Sequence, residues 1–255
     1  MAEHNLSPRR ALITGAGKRI GRALAEALGE DGWSVAVHYR SSAAGAEETV
    51  AAIEAAGGRG VTVQGDLTEE KDLKALIPAA ADKLGGPLTL LVNSASTFED
   101  DTARDHDRQQ WDHHFDANLR APIALSQAFA NALPKESKGL IVNLIDQRVW
   151  KLNPQFFTYT LSKASLLTAT KTLAQALAPN IRVNGIGPGP TLQSVHQSDE
   201  EFEAEKRATL TGEGSRPEEI VRALRYLIEA DSVTGQMIAA DGGQHLMWQT
   251  PDTQI

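Results

Sequence analysis

Apolar and polar positions alternate along this chain in blocks that predict strands and helices in turn. Short apolar runs bounded by glycine, proline or polar clusters predict strands at 11–14, 35–39, 61–64, 88–92, 140–145, 181–185 and 237–240. Stretches with apolar residues at helical spacing lie between them, at 20–30, 43–56, from 68 onward, 107–133, 154–177 and 215–230. Strands that alternate with helices predict a parallel sheet with helices on both faces, the doubly wound α/β architecture.

Three local signals refine the helix predictions. Pro78 falls inside the third helix, where it should kink or end that helix. Pro122 interrupts the fourth helix and predicts a distorted turn near Asn118. Ser215 and Glu218 have the spacing of a capping box, which predicts the start of the last helix.

The length of the chain sets its domain organisation. A chain of 255 residues fits one large α/β domain that spans residues 1–255. We find no linker, internal repeat or low-complexity stretch that would predict a second domain. The polar residues 1–8 predict a flexible tail before the first strand.

Composition and charge exclude several classes of protein. The chain has no cysteine, so it has no disulfide, no thiol nucleophile and no cysteine-ligated zinc. Neither a signal peptide nor a run of roughly 18 apolar residues is present, which predicts a cytoplasmic protein without a membrane partner. The net charge of -8 argues against general affinity for nucleic acid. His113 and His114 are adjacent on a helix and point in different directions, so we expect no metal site.

A glycine-rich turn follows the first strand. Gly15, Gly17 and Gly21 lie between that strand and the next helix, where free backbone N–H groups and the positive helix end favour a phosphate. The spacing is one residue longer than G-x-G-x-x-G, so an ordinary tight turn is the alternative. The turn is a candidate dinucleotide site.

The end of the second strand distinguishes between two coenzymes. An NAD site has an acidic residue about 20 positions after the glycine turn, where it binds the ribose hydroxyls. This chain has Tyr39, Arg40 and Ser41 there, and a guanidinium with hydroxyl groups favours a 2′-phosphate. We therefore expect NADPH rather than NADH, with Lys18 or Arg19 as a further cation. A solvated loop arginine is the alternative for Arg40.

Asp146, Tyr159 and Lys163 form the pattern D-x12-Y-x3-K. Tyr159 and Lys163 lie four positions apart on one helix face, so we expect the ammonium to lie near the phenol. A cation there should lower the phenol pKa from about 10 and suit Tyr159 to proton donation. The alternative for the Tyr–Lys pair is a surface pair. The alternative for Asp146 is a carboxylate that caps a neighbouring turn.

These motifs together resemble a classical short-chain dehydrogenase/reductase over nearly the whole chain. Thr14-Gly15-x-x-x-Arg19-x-Gly21 resembles the glycine motif of that family, and Asn118 resembles its active-site asparagine, which holds a proton-relay water. The resemblance implies a single Rossmann-type domain with a seven-stranded parallel sheet that binds NADP. The cofactor-binding residues expected from the motifs and from the resemblance are Gly15, Gly17, Arg19, Ile20, Gly21, Tyr39, Arg40, Ser41, Asp66, Leu67, Asn93, Ala95, Tyr159, Lys163, Pro188 and Gly189.

Two positions depart from the usual pattern of the family and narrow the substrate class. Asp146 takes the place of the family serine, and Arg19 replaces the middle glycine of the turn. Both substitutions resemble the residues that pteridine, dihydromonapterin and dihydrofolate reductases of this family have at these positions. Ser96 and Phe98 are similar to the segment of those enzymes that holds the pterin. An ionised carboxylate would repel the oxyanion that develops from a ketone, whereas it accepts hydrogen bonds from a nitrogen heterocycle. For Phe98, simple packing is the alternative.

The resemblance therefore implies NADPH-dependent reduction of a pterin-type C=N bond, from a dihydropterin or dihydrofolate to the tetrahydro form. Two alternatives remain, a carbonyl reductase of the 3-oxoacyl or sugar type and an NADP-binding sensor without catalysis. The catalytic set implied is Asp146, Tyr159, Lys163 and Asn118. The substrate-binding set implied is Arg19, Ser96, Phe98, Asp146 and Tyr159.

The resemblance also implies a lid and an assembly. Residues 190–214 follow Pro188 and Gly189, where the family has a segment that covers the substrate. The acidic run at 199–205 within this segment is expected to be a solvated face. Members of the family commonly form tetramers, and the apolar stretch 245–248 fits burial between subunits, so we expect a homotetramer.

Overall fold

The fold is built around one sheet of parallel strands, described here for residues 6–194 and 197–249 of a computed structural model. The strands are Arg10–Ile13 (β1), Ser34–Tyr39 (β2), Arg59–Gln64 (β3), Leu90–Asn93 (β4), Gly139–Leu144 (β5), Ile181–Pro188 (β6) and Met237–Ala240 (β7). They form a 7-stranded sheet in the order β3-β2-β1-β4-β5-β6-β7, and neighbouring strands are parallel.

Helices cover both faces of this sheet. Those in the described residues are Arg19–Glu30 (α1), Ala43–Ala55 (α2), Glu70–Leu84 (α3), Arg108–Phe115 (α4), Ala121–Ala132 (α5), Phe157–Leu177 (α6), Asp199–Arg207 (α7) and Pro217–Glu229 (α8). Successive side chains of a strand point to opposite faces, so Ala11 and Ile13 pack in the core beneath α1 and α8 while Leu12 packs beneath α3 and α5. The predicted doubly wound α/β fold is confirmed.

The order of the strands creates a crevice at the carboxyl edge of the sheet. From β1 the chain adds β2 and β3 on one side, and then crosses over to add β4 and the remaining strands on the other. The loops after β1 and β4 therefore diverge, and ligands of doubly wound sheets bind in the crevice that this reversal leaves open.

Pro78 does not end the third helix. α3 continues through the proline to Leu84, although the residue cannot donate a backbone hydrogen bond. Leu73, Ile77 and Ala80 are buried in the core on either side of it. This burial offsets the missing hydrogen bond, because tertiary packing supplies most of the stability of a helix in a folded protein.

The predicted capping box of the last helix is wrong. α8 begins at Pro217, with Arg216 as an extended N-cap residue that makes no side-chain cap. The Ser215 hydroxyl is buried and has no hydrogen-bond partner among the described residues. Proline is favoured at the first helical position because its φ suits the helix and its missing N–H is not needed there. The helix therefore starts beyond Ser215.

The predicted distortion near Asn118 is confirmed. A π-helical turn, Asp116–Arg120, separates α4 from α5, and Asn118 lies within it. Pro122 follows at the start of α5, where a missing N–H costs little. Turns of this kind often mark functional positions in a helix.

The first described residue, Leu6, belongs to the core, although the sequence places it in a flexible tail. Residues 1–5, which make up most of that tail, lie outside the described residues. In the described part of the chain, no helix has the length and apolar character needed to cross a bilayer.

Candidate active site

A cavity of ≈ 940 Å³ opens at the carboxyl edge of the sheet. The predicted site residues that line it are Gly15, Gly17, Arg19, Ile20, Gly21, Tyr39, Arg40, Ser41, Asp66, Leu67, Ala95, Ser96, Phe98, Asp146, Tyr159, Lys163, Pro188 and Gly189. Asn93 and Asn118 lie behind its wall. The Asn93 side chain instead donates to Asn143 at 2.8 Å and ties β4 to β5.

The glycine turn is closely packed against its neighbours. Gly15 has φ +66°, and a Cβ there would lie 2.9 Å from the Ala95 Cα. A Cβ on Gly21 would lie 2.4 Å from the carbonyl oxygen of Gly15. Glycine is therefore required at both positions. The first N–H groups of α1 have no partner within the helix, and its first residues line the cavity, so this end can hold a phosphate.

His38 supports this turn from behind, a role that the sequence did not reveal. Its Nδ1 accepts a hydrogen bond from the Gly15 N–H at 3.1 Å, and its Nε2 donates to the Gly65 carbonyl at 3.0 Å. Burial lowers the pKa of His38 from 6.5 to about 4, so the ring is neutral near neutral pH. The sequence signal is a histidine directly after the apolar run 35–37 of β2.

The carboxyl end of β2 provides the groups expected at a 2′-phosphate. Arg40, Ser41 and Ser42 line the cavity, and the Arg40 and Ser41 side chains are exposed to it. Asp66, at the next strand end, accepts hydrogen bonds from the Thr68 N–H at 2.9 Å and the Thr68 hydroxyl at 2.8 Å. The Arg40 guanidinium and the hydroxyls of Ser41 and Ser42 are donors that suit the phosphates and ribose of NADP.

Arg19 connects the glycine turn to the segment after β6. It has φ +55°, which is unusual for a residue with a side chain. Its guanidinium donates to the carbonyl oxygens of Gln193 at 2.8 Å and Leu192 at 3.0 Å. Arg19 therefore bridges the cofactor end of the cavity and the predicted lid.

Asp146 and Tyr159 meet in the cavity. The Tyr159 hydroxyl donates to Asp146 Oδ2 at 2.8 Å. The other carboxylate oxygen, Oδ1, accepts from the Arg148 N–H at 2.7 Å and caps a short 3₁₀ turn, Gln147–Val149. Asp146 thus caps the neighbouring turn, as the alternative interpretation held, and also faces the phenol. The turn fixes the direction of the carboxylate.

Lys163 lies beneath this pair and is buried. Its ammonium donates to the Leu144 carbonyl at 2.8 Å and lies 5.7 Å from the centre of the Tyr159 ring. Burial lowers the pKa of Lys163 from 10.5 to about 8, while the Asp146 carboxylate opposes this shift.

The predicted lowering of the Tyr159 pKa is wrong. Burial and the adjacent Asp146 carboxylate raise the pKa of Tyr159 well above 10. Burial likewise raises the pKa of Asp146. The physical reason is that burial disfavours the charged phenolate and the hydrogen bond to a carboxylate stabilises the neutral phenol, while Lys163 directs its own hydrogen bond to the backbone. Tyr159 therefore keeps its proton at neutral pH.

Asn118 holds the loop after β4 against α6. Its Oδ1 accepts from the Thr97 N–H at 2.9 Å and the Ser96 hydroxyl at 3.0 Å. Its Nδ2 donates to the Thr97 carbonyl at 3.0 Å and to Ser162 Oγ at 3.2 Å. The amide thereby uses both donors and both acceptor sites. The water relay expected of Asn118 stays a prediction.

Phe98 lies in an aromatic stack beside Tyr159. Its ring stacks on Phe156 with centroids 4.1 Å apart and meets the Tyr159 ring edge-on at 4.7 Å. Phe156 has φ +52° and begins α6 as its N-cap residue. The stack forms an apolar wall of the cavity at the start of α6.

A buried polar network anchors the start of α6. The Asp101 carboxylate accepts from the Thr158 N–H at 3.0 Å and also from the Thr158 hydroxyl. His114 Nδ1 lies 2.7 Å from that hydroxyl, and His114 Nε2 accepts from the Glu99 N–H at 3.1 Å. An anion at a helix N-terminus stabilises the helix that carries Tyr159. The sequence contained no signal for this network, because its members are far apart along the chain.

A family profile described as enoyl-(acyl carrier protein) reductase matches residues 15–245. Glucose 1-dehydrogenase 2 of Bacillus subtilis is 32% identical over 252 residues, which cover 95% of this chain and 96% of that protein. The 3-oxoacyl-[acyl-carrier-protein] reductase FabG of Staphylococcus aureus is 30% identical over 241 residues, 92% of this chain and 98% of that protein.

Two similar crystal structures are both described as FolM alternative dihydrofolate reductase 1 with NADP. The Brucella suis protein has a TM-score of 0.94 and 47% identity, and the match covers 98% of this chain and 100% of that one. The Brucella canis protein has a TM-score of 0.91 and 46% identity, and the match covers 98% and 99%.

Proposed function

Because the chain belongs to the short-chain dehydrogenase/reductase family of oxidoreductases, we propose that it reduces a pterin-type C=N bond with NADPH. The substrate would be a dihydropterin or dihydrofolate, and the product its tetrahydro form. The observation that carries this proposal is the hydrogen bond of 2.8 Å between Tyr159 and the Asp146 carboxylate in the cavity.

The carboxylate favours a nitrogen heterocycle over a carbonyl compound. A ketone develops negative charge on its oxygen as hydride is added, and a carboxylate beside that oxygen would oppose the charge. A pterin ring presents N–H and amino groups, which donate to Asp146. The two FolM structures share 46% and 47% identity with this chain, whereas the glucose dehydrogenase and 3-oxoacyl reductase share 32% and 30%. The identities support the pterin proposal over the carbonyl alternative.

The residues present fit NADPH as cofactor. Gly15 and the start of α1 would receive the pyrophosphate, and Arg40 with Ser41 the 2′-phosphate. The NADP complexes of both FolM proteins support this choice. When bound, NADPH supplies the hydride.

Tyr159 would supply the proton to the substrate nitrogen. Its raised pKa keeps the phenol protonated until the ring nitrogen gains electron density and becomes the stronger base. Lys163 lies below the ring, where its positive charge stabilises the phenolate left after transfer. Asp146 orients the phenol and accepts hydrogen bonds from the substrate edge. The flat ring of Phe98 would stack on the pterin.

We also propose a lid at residues 190–214 and a homotetramer. Within the described part of the lid, α7 begins with a capping box of Ser198 and Glu201, and Arg19 holds the segment before it. Near the cavity, large apolar side chains are exposed at Trp150, Leu152, Leu246 and Trp248. Burial of these side chains between subunits would remove apolar surface from water.

The proposal is tested by following NADPH oxidation with a dihydropterin and with an acetoacetyl thioester. We expect the dihydropterin to be the better substrate. Tyr159→Phe should reduce turnover about 100-fold or more and leave NADPH binding nearly intact, because only the proton donor is removed. Tyr226→Phe, at an exposed tyrosine of α8, is the matched control and should retain the wild-type rate.

Three results would contradict the proposal. Wild-type rates in Tyr159→Phe would exclude Tyr159 as proton donor. Faster reaction with the thioester would favour the carbonyl reductase alternative. Tight NADPH binding without turnover of any acceptor would favour the non-catalytic alternative.

A further inference from the structure

Arg148 is a cavity residue that the proposed chemistry leaves without a role. It follows Asp146 on the 3₁₀ turn after β5, and its backbone N–H fixes the Asp146 carboxylate at 2.7 Å. Its guanidinium lies 5.1 Å from the centre of the Phe156 ring. The side chain is thus held at the far end of the stack that runs through Phe98 to Tyr159.

Two side-chain donor atoms of Arg148 are not satisfied. Its Nε and Nη1 are shielded from solvent and have no acceptor among the described residues. Shielding two guanidinium nitrogens without an acceptor is costly, and the aromatic contact offsets only part of this cost. Because Arg148 lines the cavity, a turn of its side chain would bring these donors to an acceptor on the ligand, and a guanidinium fits a carboxylate or phosphate best.

The charges around Arg148 agree with an incoming anion. Lys151, three residues later, lines the same cavity and adds a second cation. Across the mouth, Glu205 already accepts hydrogen bonds from Gln197 at 2.7 Å and Gln244 at 2.9 Å. The Glu201 carboxylate is likewise occupied, because it accepts from Ser198 in the capping box. Arg148 and Lys151 are therefore cations of this wall that form no salt bridge with the described residues.

We infer that Arg148, with Lys151 beside it, binds an anionic group that the substrate carries outside its reacting ring. This inference rests on the proposed function and adds a substrate class to it, a pterin with an acidic tail. The tail can be a carboxylate, as in dihydrofolate, or a phosphate, as in a phosphorylated dihydropterin. A neutral hydroxylated tail can accept a hydrogen bond from Arg148 but brings no negative charge to pair with the guanidinium, so it should bind more weakly.

The inference is tested with three matched substrates, namely dihydrofolate, a dihydropterin phosphate and dihydrobiopterin, whose tail is uncharged. Wild-type kcat/KM should be higher for an acidic tail than for the uncharged one. Arg148→Met should lower kcat/KM for the acidic substrate about 10- to 100-fold, mainly through KM, and change the value for dihydrobiopterin less than about threefold. Whichever acidic substrate shows the loss identifies the carboxylate or the phosphate.

Three further variants separate recognition from folding. Arg148→Lys keeps the charge but loses the planar fork, and should retain an intermediate preference. Lys151→Met removes the exposed second cation, and should show a smaller loss that is confined to the acidic substrate. Arg222→Met removes an arginine from α8, which does not line the cavity, and should match the wild type. Thermal unfolding of each variant shows whether it is folded.

Binding of folate and biopterin to the NADP complex distinguishes failure of this inference from failure of the proposed function. Binding that depends on Arg148 without any turnover would sustain the anion subsite and refute the reductase. If the enzyme turns over, and Arg148→Met and Lys151→Met change kcat/KM equally for acidic and neutral substrates, the reductase is sustained. The anion subsite is then overturned. Binding of neither ligand would overturn both.

Discussion

Acidification should destabilise this chain through His38, the residue that holds the glycine turn. Its Nδ1 accepts from the Gly15 N–H and its Nε2 donates to the Gly65 carbonyl, so a proton added at Nδ1 breaks the first bond. Burial opposes the charged form and lowers the pKa of His38 from 6.5 to about 4. At a pH between about 4 and 6.5, His38 therefore binds a proton in the unfolded chain but not in the folded chain.

The sign and size of the effect follow from this difference. Above pH 6.5 the imidazole is neutral in both states and adds no pH dependence. As the pH falls below this value, protonation favours the unfolded chain, so the free energy of unfolding decreases. The decrease should be about 2 kcal/mol at pH about 5 and about 3 kcal/mol below pH about 4.

Urea denaturation at pH about 7.5 and about 5 measures this decrease, with the fluorescence of buried Trp33 as a probe. His38→Gln keeps a donor and an acceptor but cannot titrate. The wild type should lose about 2 kcal/mol more than His38→Gln between the two pH values, because all other titrating groups are shared. His106→Gln, at an exposed histidine, should behave as the wild type. Equal losses in wild type and His38→Gln would refute the reasoning.

Two more predictions concern the cofactor end of the cavity. Arg40→Ala should weaken NADPH binding about 10- to 100-fold and leave NADH binding nearly unchanged, because only NADPH has the 2′-phosphate. Titration of both coenzymes checks this, and an unchanged ratio would contradict it. Gly21→Ala should destabilise the fold by about 1–3 kcal/mol and weaken NADPH binding, since the new Cβ would lie 2.4 Å from the Gly15 carbonyl oxygen. Gly65→Ala is its control, because that Cβ would meet nothing closer than 3.5 Å, and equal unfolding free energies in the two variants would oppose the steric argument.

The sequence by itself determined the order of strands and helices and the type of site. Short apolar runs separated by stretches with helical spacing predict the alternation of strands and helices seen from β1 to β7. Each pattern reflects which side chains of one element can be buried together. The same holds for Tyr159 and Lys163, whose spacing of one helical turn is a local property. The identity of Asp146, a carboxylate where the family has a serine, suffices to propose a substrate class without any coordinates.

Only the tertiary structure decided the electrostatics of the site and the groups that support it. The pKa of Tyr159 rises rather than falls, because burial and the approach of Asp146 outweigh a lysine that bonds elsewhere. Asp101 and Arg148 likewise acquired their roles through partners that sequence spacing does not connect. Desolvation and hydrogen bonding depend on distances between segments brought together by the sheet, and these distances exist only in the folded chain.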